Sequence, residues 1–312
     1  DAPSDAMALC ALAEEAIERG QLDTAAERLA QVEAIPLGYP RASRLMAWLG
    51  DQYERRGQLT AARTVYEQLL ASAERTVERA ADASDERTGE PPDASSAGAE
   101  PTADLDAIEI ALEGLARLSE ESGDLASALR LLRRRLPYLP ADAIAARASL
   151  RLRLCDLALA QSDLLEARTQ LEAVLSEQPN SRSALVKMLE VHRRGSHRPQ
   201  DIAEAMQILE RLLDLAMTPG ERAEWLFARG DLLERYRKDR VRARADYERA
   251  VAQWPGHARA LRRLVMLAAR RGDGDEVALR VAALGKAGAL LGDVQTVAAL
   301  ALALPAAPSS SG

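Results

Sequence analysis

Apolar residues along this chain recur three and four positions apart in successive runs, the spacing of one face of an α-helix. The runs come in pairs. In the clearest pair, Trp48, Leu49, Gly50 and Tyr53 fall on one predicted helix, Gly57–Gln58–Leu59 forms a turn, and Ala62, Tyr66 and Leu69 fall on a second helix. An earlier pair carries Leu12, Ala13 and Ala16 before Gly20, then Leu22, Ala25, Leu29 and Val32. Later pairs carry Leu115, Ala116 and Ser119 before Gly123 with Leu125, Ala128 and Leu132 after it, and Leu154, Cys155 and Ala158 before Ser162 with Leu164, Ala167, Leu171 and Val174 after it. Three more follow around Leu185 and Leu209, Gly230 and Tyr247, and Leu264 and Val277. The spacing reads as a repeat of 34 residues and predicts about seven helical hairpins in the 312-residue chain. Lys286 to Leu304 predicts one or two further helices that cap the end.

Small residues sit where paired helices must cross. Ala13, Gly50, Ala116 and Gly230 take this place on first helices, and Ala25, Ala62, Ala128, Ala167, Ala205 and Ala243 take it on second helices. Gly20, Gly57, Gly123 and Gly272 are placed to end a first helix with a positive φ. A single hairpin cannot bury its own apolar side, so each needs a neighbour stacked on it. An ordinary helical bundle or another helical-repeat class would satisfy the same periodicity. The pattern resembles the tetratricopeptide repeat family over most of the chain outside Asp85 to Asp104. That resemblance implies an all-α, right-handed superhelical solenoid whose first helices line the concave side. It also implies a non-catalytic protein–protein interaction scaffold or adaptor that holds a peptide or helix in that groove.

The register has departures. Arg135 stands where the family prefers a core residue, and Arg229 stands where a leucine is usual. The turn after His192 is lengthened by Gly195–Ser196–His197–Arg198–Pro199, and the turn Arg237–Lys238–Asp239–Arg240 has no glycine. The largest interruption, residues 85–104, is rich in Pro, Gly, Ser, Ala and acidic residues, and Gly89 and Pro91–Pro92 oppose helix. The expected organisation is therefore N-terminal repeats over 1–84, a disordered acidic loop over 85–104, C-terminal repeats with capping helices over 105–304, and a flexible tail over 305–312. The loop is placed within one solenoid or between two blocks of it.

Composition narrows the chemistry. Aromatic residues make up 3% of the chain and hydrophobic residues 47%, so the core must be built from Leu, Ala and Val. A net charge of −7 disfavours general attraction to nucleic acid, and the basic stretch Arg235 to Arg244 reads first as a solvated helical edge. Cys10 and Cys155 are isolated at apolar positions and read as buried free thiols, which suits a reducing, cytoplasmic setting. The chain opens on Asp1 rather than Met, as a processed or truncated sequence would, and no membrane-spanning run is evident. His192, His197 and His257 form no ligand motif, and no phosphate-binding loop is present. Neither a cofactor, a metal nor a catalytic constellation is expected. The Arg- and Ala-rich composition fits a high-GC bacterial source.

The resemblance places a binding groove on the first helices. Its N-terminal part takes Glu14, Glu18, Asp51, Glu54, Arg55, Glu113, Arg117 and Glu121, and is mainly acidic. Its later part takes Asp156, Lys187, Glu190, Arg194, Asp231, Arg235, Arg262, Met266 and Arg270, and is mixed to basic. A protein or peptide with the opposite gradient is the expected partner. A merely solvated face would carry the same charges. Some relatives clamp a C-terminal carboxylate with lysines and asparagines, but the corresponding positions here offer Cys10 and Glu14, Ala47 and Asp51, and Glu113 and Arg117. Two other roles fit the same repeats. One is a structural spacer or self-assembly module, with Leu290 and Leu291 on its terminal face. The other is a regulatory segment of a larger bacterial signalling enzyme.

Overall fold

Helix follows helix in antiparallel pairs. The structure, a computed structural model, describes residues 2–33, 40–85 and 100–287. Among the described residues there are fourteen α-helices and no strand. They are α1 (Ala2–Glu18), α2 (Leu22–Glu33), α3 (Pro40–Arg55), α4 (Leu59–Asp85), α5 (Glu100–Glu121), α6 (Leu125–Arg135) and α7 (Ile144–Ala160). The remainder are α8 (Leu164–Glu177), α9 (Arg182–Arg194), α10 (Pro199–Asp214), α11 (Pro219–Arg235), α12 (Arg240–Gln253), α13 (Ala258–Arg271) and α14 (Gly274–Lys286). Odd-numbered helices are the first members of hairpins and even-numbered helices the second.

The chain divides into two compact units, Asp1–Gln170 and Leu171–Gly312, with the boundary inside α8. In the first unit α1 packs on α3 and α3 on α5, so hairpins stack in chain order. α4 packs directly against α5, and their side chains share one core. Because α4 runs to Asp85 and α5 starts at Glu100, the intervening residues 86–99 lie outside the described residues. So do residues 288–312, which hold most of the expected capping helices, Leu290, Leu291 and the tail.

The repeat length differs from the expected 34. Ala25 and Ala62 are 37 residues apart, Ala128 and Ala167 are 39 apart, and Ala205 and Ala243 are 38 apart. Long first helices and connections absorb the excess: α7 and α11 each have 17 residues, and a 3-10 turn at Leu136–Tyr138 extends the link from α6 to α7. The crossing positions still hold their register. Ala13, Ala25, Ala62, Ala116, Ala128, Ala167 and Ala243 are inaccessible to solvent.

Two tyrosines show why glycine is needed at a crossing. A Cβ added at Gly50 would stand 2.6 Å from the Tyr66 ring, and one at Gly114 would stand 2.7 Å from its other edge. Tyr66 on α4 is thus seated between α3 and α5. Gly230 and Tyr247 repeat half of this arrangement, with the same 2.7 Å approach. The sequence pattern singled out Gly50 and Gly230 but not Gly114. Each fully buried Leu beside these contacts, such as Leu69 and Leu112, contributes about 1.5–3 kcal/mol of burial.

The turns are equally regular. Gly20, Gly57, Gly123 and Gly272 have φ between 72° and 78°. Ser162 and Lys238 take the same place with φ of 62° and 55°, in spite of their side chains. In four turns the next residue is Asp, and Asp124, Asp163, Asp239 and Asp273 each accept a 3.0 Å hydrogen bond from the backbone N–H three residues on. These are helix N-caps, and the negative charge also suits the positive end of the helix dipole. At Asp124 the bonds from Ser127 hold the carboxyl below its ordinary range.

The two polar departures are paired rather than exposed. Arg135 donates to Glu113 at 2.5 Å and to Glu109 at 2.6 Å, both on α5. Arg229 forms two bonds, 2.8 and 2.7 Å, with Asp246, which is 3% exposed. An ion pair fills a place where an apolar side chain is usual. Cys10 and Cys155 are both buried, and they are not joined in a disulfide.

Candidate interaction surface

The first helices carry charged residues one turn apart, and packing brings those of successive hairpins together. In the first unit Glu14 of α1 pairs with Arg41 of α3. Glu54 of α3 receives both Nε and Nη2 of Arg117 on α5, at 2.8 and 2.7 Å. Glu113 of α5 takes Arg153 of α7 at 2.5 Å as well as Arg135, and Arg153 reaches Glu120 at 2.9 Å. Asp51 pairs with Arg55 along α3 at 2.9 Å. Asp156 on α7 is exposed.

The second unit repeats the theme. Asp231 on α11 holds Arg235 at 2.8 Å and Arg263 of α13 at 3.0 Å. Glu234, one turn on and buried, accepts from the Tyr247 hydroxyl at 3.0 Å and lies 3.8 Å from Arg263 and 3.5 Å from Arg270. Glu190 and Arg194 pair along α9 at 2.8 Å. Arg262, Met266 and Arg270 lie four residues apart on α13 and so form one stripe, with Arg262 and Met266 half-buried and Arg270 exposed.

Cations accompany the carboxylates of these first helices. The acidic N-terminal portion is locally neutralised, because Arg41, Arg117, Arg135 and Arg153 sit against its carboxylates. The expected groove residues fall into two sets, one in each unit. Glu109, Arg153, Glu234 and Arg263 were not singled out from the sequence. Their signal was available: Glu109 lies one turn before Glu113, Glu234 lies one turn after Asp231, and Arg263 is next to Arg262. Nothing in the chain order says which turn of one helix will face which turn of the next.

The environment acts on the tyrosines. Burial, then the hydrogen bond to Glu54, pushes the Tyr66 phenol well above its usual range. Burial and the nearby Glu234 do the same to Tyr247. Tyr53 donates to Asp23 at 2.8 Å and is pushed up to about 12, burial being the larger cause. All three stay neutral donors at ordinary pH. Arg117 is held still more firmly in its charged form by its bond to Glu54.

Among the described residues, paired helices, a small residue at most crossings and a left-handed residue in each turn recur from hairpin to hairpin, and a glycine lies under each of Tyr66 and Tyr247. The fold is a tandem array of tetratricopeptide-like helical hairpins.

No protein-family model matches this sequence, and none of the curated proteins matches it. Similar solved structures include MamA, at 16% identity and a TM-score of 0.44 over 56% of this chain and 94% of that one. YrrB, described as a TPR protein with an unusual peptide-binding site, is similar at 13% identity and 0.43 over 70% of this chain and 89% of that one. The TPR2AB domain of yeast Sti1 in complex with pHSP90 is similar at 13% identity and 0.37 over 97% of this chain and 99% of that one. Among the described residues no helix is long and apolar enough to cross a membrane. No group of three or more His, Cys, Asp or Glu side chains there is placed to hold a metal ion.

Proposed function

We propose that this chain is a protein-interaction scaffold that holds a peptide or helix against its first helices. The observation behind the reading is the ordering of polar side chains that remain partly open to solvent. Arg117 is fixed by two bonds to Glu54, and Arg263 is shared between Asp231 and Glu234. Side chains already held in one geometry lose less conformational freedom when a partner docks. Their mixed signs favour a partner face of mixed sign over a purely basic one. In the second unit the stripe Arg262–Met266–Arg270 would offer a polarisable apolar side chain between two cations.

Selection from a displayed random dodecapeptide library against the 312-residue chain tests this reading. Enriched peptides should lose affinity when Met266→Ser and Arg262→Glu are introduced together, or when Glu113→Gln and Asp156→Lys are. Enriched peptides indifferent to both pairs of changes would reject the first helices as the binding face.

A further inference from the structure

Two cavities lie at the same place in the hairpin pattern, one in each unit. The first, about 280 Å³, lies between the second helices α4 and α6 and is floored by α5. The other, about 260 Å³, lies between α10 and α12 and is floored by α11. Their linings match position by position when the crossing alanines are aligned. Glu67 and Glu210 each come five residues after Ala62 and Ala205, and Arg134 and Arg249 each come six after Ala128 and Ala243.

The chemistry of the two differs at six of the eight lining positions, and only Glu67/Glu210 and Arg134/Arg249 are shared. Leu131 in the first cavity corresponds to Asp246 in the second. Asp246 binds Arg229 and lies 3.7 Å from Arg249, so the second cavity neutralises its own arginines. Each cavity is lined by three arginines at different places: Arg63 and Arg130 correspond to Met206 and Ala245, whereas Arg229 and Arg242 of the second correspond to Leu115 and Ser127, and Arg242 lies 3.5 Å from Asp239.

The guanidiniums of Arg63 and Arg130 are only lightly engaged. Arg130 reaches the Ser127 hydroxyl at 2.9 Å, and Arg63 makes no hydrogen bond or ion pair among the described residues. The nearby Asp124 carboxylate caps α6 through Ser127, and its charge also acts on Arg130 and Arg63 without a direct ion pair to either. Glu67, one turn from Arg63, makes no ion pair with it. The third arginine, Arg134, is held by Glu74. Leu115 and Leu131 supply apolar surface beside the cations.

We propose that the notch between α4 and α6 is a second binding site, which takes an acidic peptide through a carboxylate side chain and a neighbouring apolar one. The carboxylate would sit between Arg63 and Arg130, where charge-assisted bonds are strong. The apolar neighbour would lie on Leu115 and Leu131. A volume of about 280 Å³ suits one or two side chains of an extended segment rather than a folded surface. This site lies on the second helices and is independent of the surface proposed above.

The test is fluorescence anisotropy of the full chain with a labelled peptide of alternating Leu-Glu-Asp units. Arg63→Gln/Arg130→Gln should bind about tenfold or more weakly than wild type. Its circular dichroism and melting should stay those of wild type, since Arg130 is exposed, Arg63 is half-buried, and neither makes an ion pair among the described residues. Arg242→Gln, in the equivalent notch of the second unit, should bind as wild type does. The same peptide with Gln and Asn in place of its acids should not bind, and inorganic phosphate at equal concentration should not displace it. The proposal is overturned if wild type fails to bind the acidic peptide, or if the double variant binds equally. It is also overturned if Arg242→Gln loses as much affinity, which would show diffuse charge attraction. Displacement by phosphate would reassign the notch to small anions.

Discussion

Arg117 of α5 grips Glu54 of α3 with two hydrogen bonds, and Glu54 in turn faces the hydroxyl of the buried Tyr66. Arg263, Glu234 and Tyr247 form the matching set in the other unit. Each set ties the first helix of one hairpin to its own second helix and to the first helix of the next. Interaction between hairpins, on which a repeat array depends, is therefore polar as well as apolar.

The Glu54–Arg117 pair should show measurable coupling. Exposed ion pairs contribute about 0.2–1 kcal/mol, and the bidentate geometry places this one near the upper end. Arg117→Gln should cost more than that, about 1–2 kcal/mol, because it leaves a carboxylate only 13% exposed without its partner. Urea denaturation of Glu54→Gln, Arg117→Gln and the double variant checks this. A double variant whose cost equals the sum of the singles would mean the pair contributes nothing.

Gly50→Ala should destabilise the protein although alanine favours helix. The added Cβ would meet the Tyr66 ring at 2.6 Å, and overpacking typically costs about 1–3 kcal/mol. In a Tyr66→Ala background the obstruction is gone, and the same change should become neutral or stabilising by up to about 1 kcal/mol. Thermal melts of the four proteins read this reversal of sign directly. Gly114→Ala should behave alike, whereas Gly220→Ala, with nothing within 4 Å, should show no such dependence on Tyr66.

Turn positions should respond in opposite directions. Lys238 and Ser162 hold positive φ without being glycine, so Lys238→Gly and Ser162→Gly should each stabilise by about 0.5–1 kcal/mol through relief of backbone strain. Gly57→Ala, at a φ of 72°, should destabilise by about 1 kcal/mol. Chemical denaturation of the three variants checks the signs.

His257 makes the second unit sensitive to mild acid. It is 1% exposed, and its Nδ1 accepts the Ala260 N–H as the cap of α13, so it must be unprotonated there. Burial pulls its pKa below the ordinary value of 6.5, outweighing the nearby Glu224, while Arg259 acts in the same direction as burial. The unfolded chain thus takes up the proton first. Stability from this group is complete above about 6.5 and declines as pH falls through the window down to the folded pKa. His257→Asn, which keeps a side-chain acceptor for the cap, should flatten that decline in melts collected from pH about 7 to 5. An unchanged slope would place the acid sensitivity elsewhere.

Much of the fold was legible because it follows from local rules. Helical periodicity, alanine at Ala62 and Ala128, and glycine at Gly57 and Gly123 each act within one hairpin. The four turn aspartates followed a cap rule that the sequence also displayed, though it was not read from it. Gly114 was missed because its partner, Tyr66, lies across the long insertion. The interaction surface was read less well than the fold. The charged positions lie on first helices, but Glu113 with Arg153, and Asp231 with Arg263, find each other through packing between hairpins. A pattern read along one helix counts such residues as open to a ligand when they are already bonded to a neighbour. Arg135 and Arg229 looked like defects for the same reason, since Glu109 and Asp246 lie on other helices.

Hydrogen–deuterium exchange of the chain, alone and with a peptide taken from the library selection, tests the scaffold reading most directly. New protection should fall on the exposed faces of first helices, among α1, α3, α5 and α7 or among α9, α11 and α13. Protection confined to second helices, or a selection from which no peptide emerges, would contradict it.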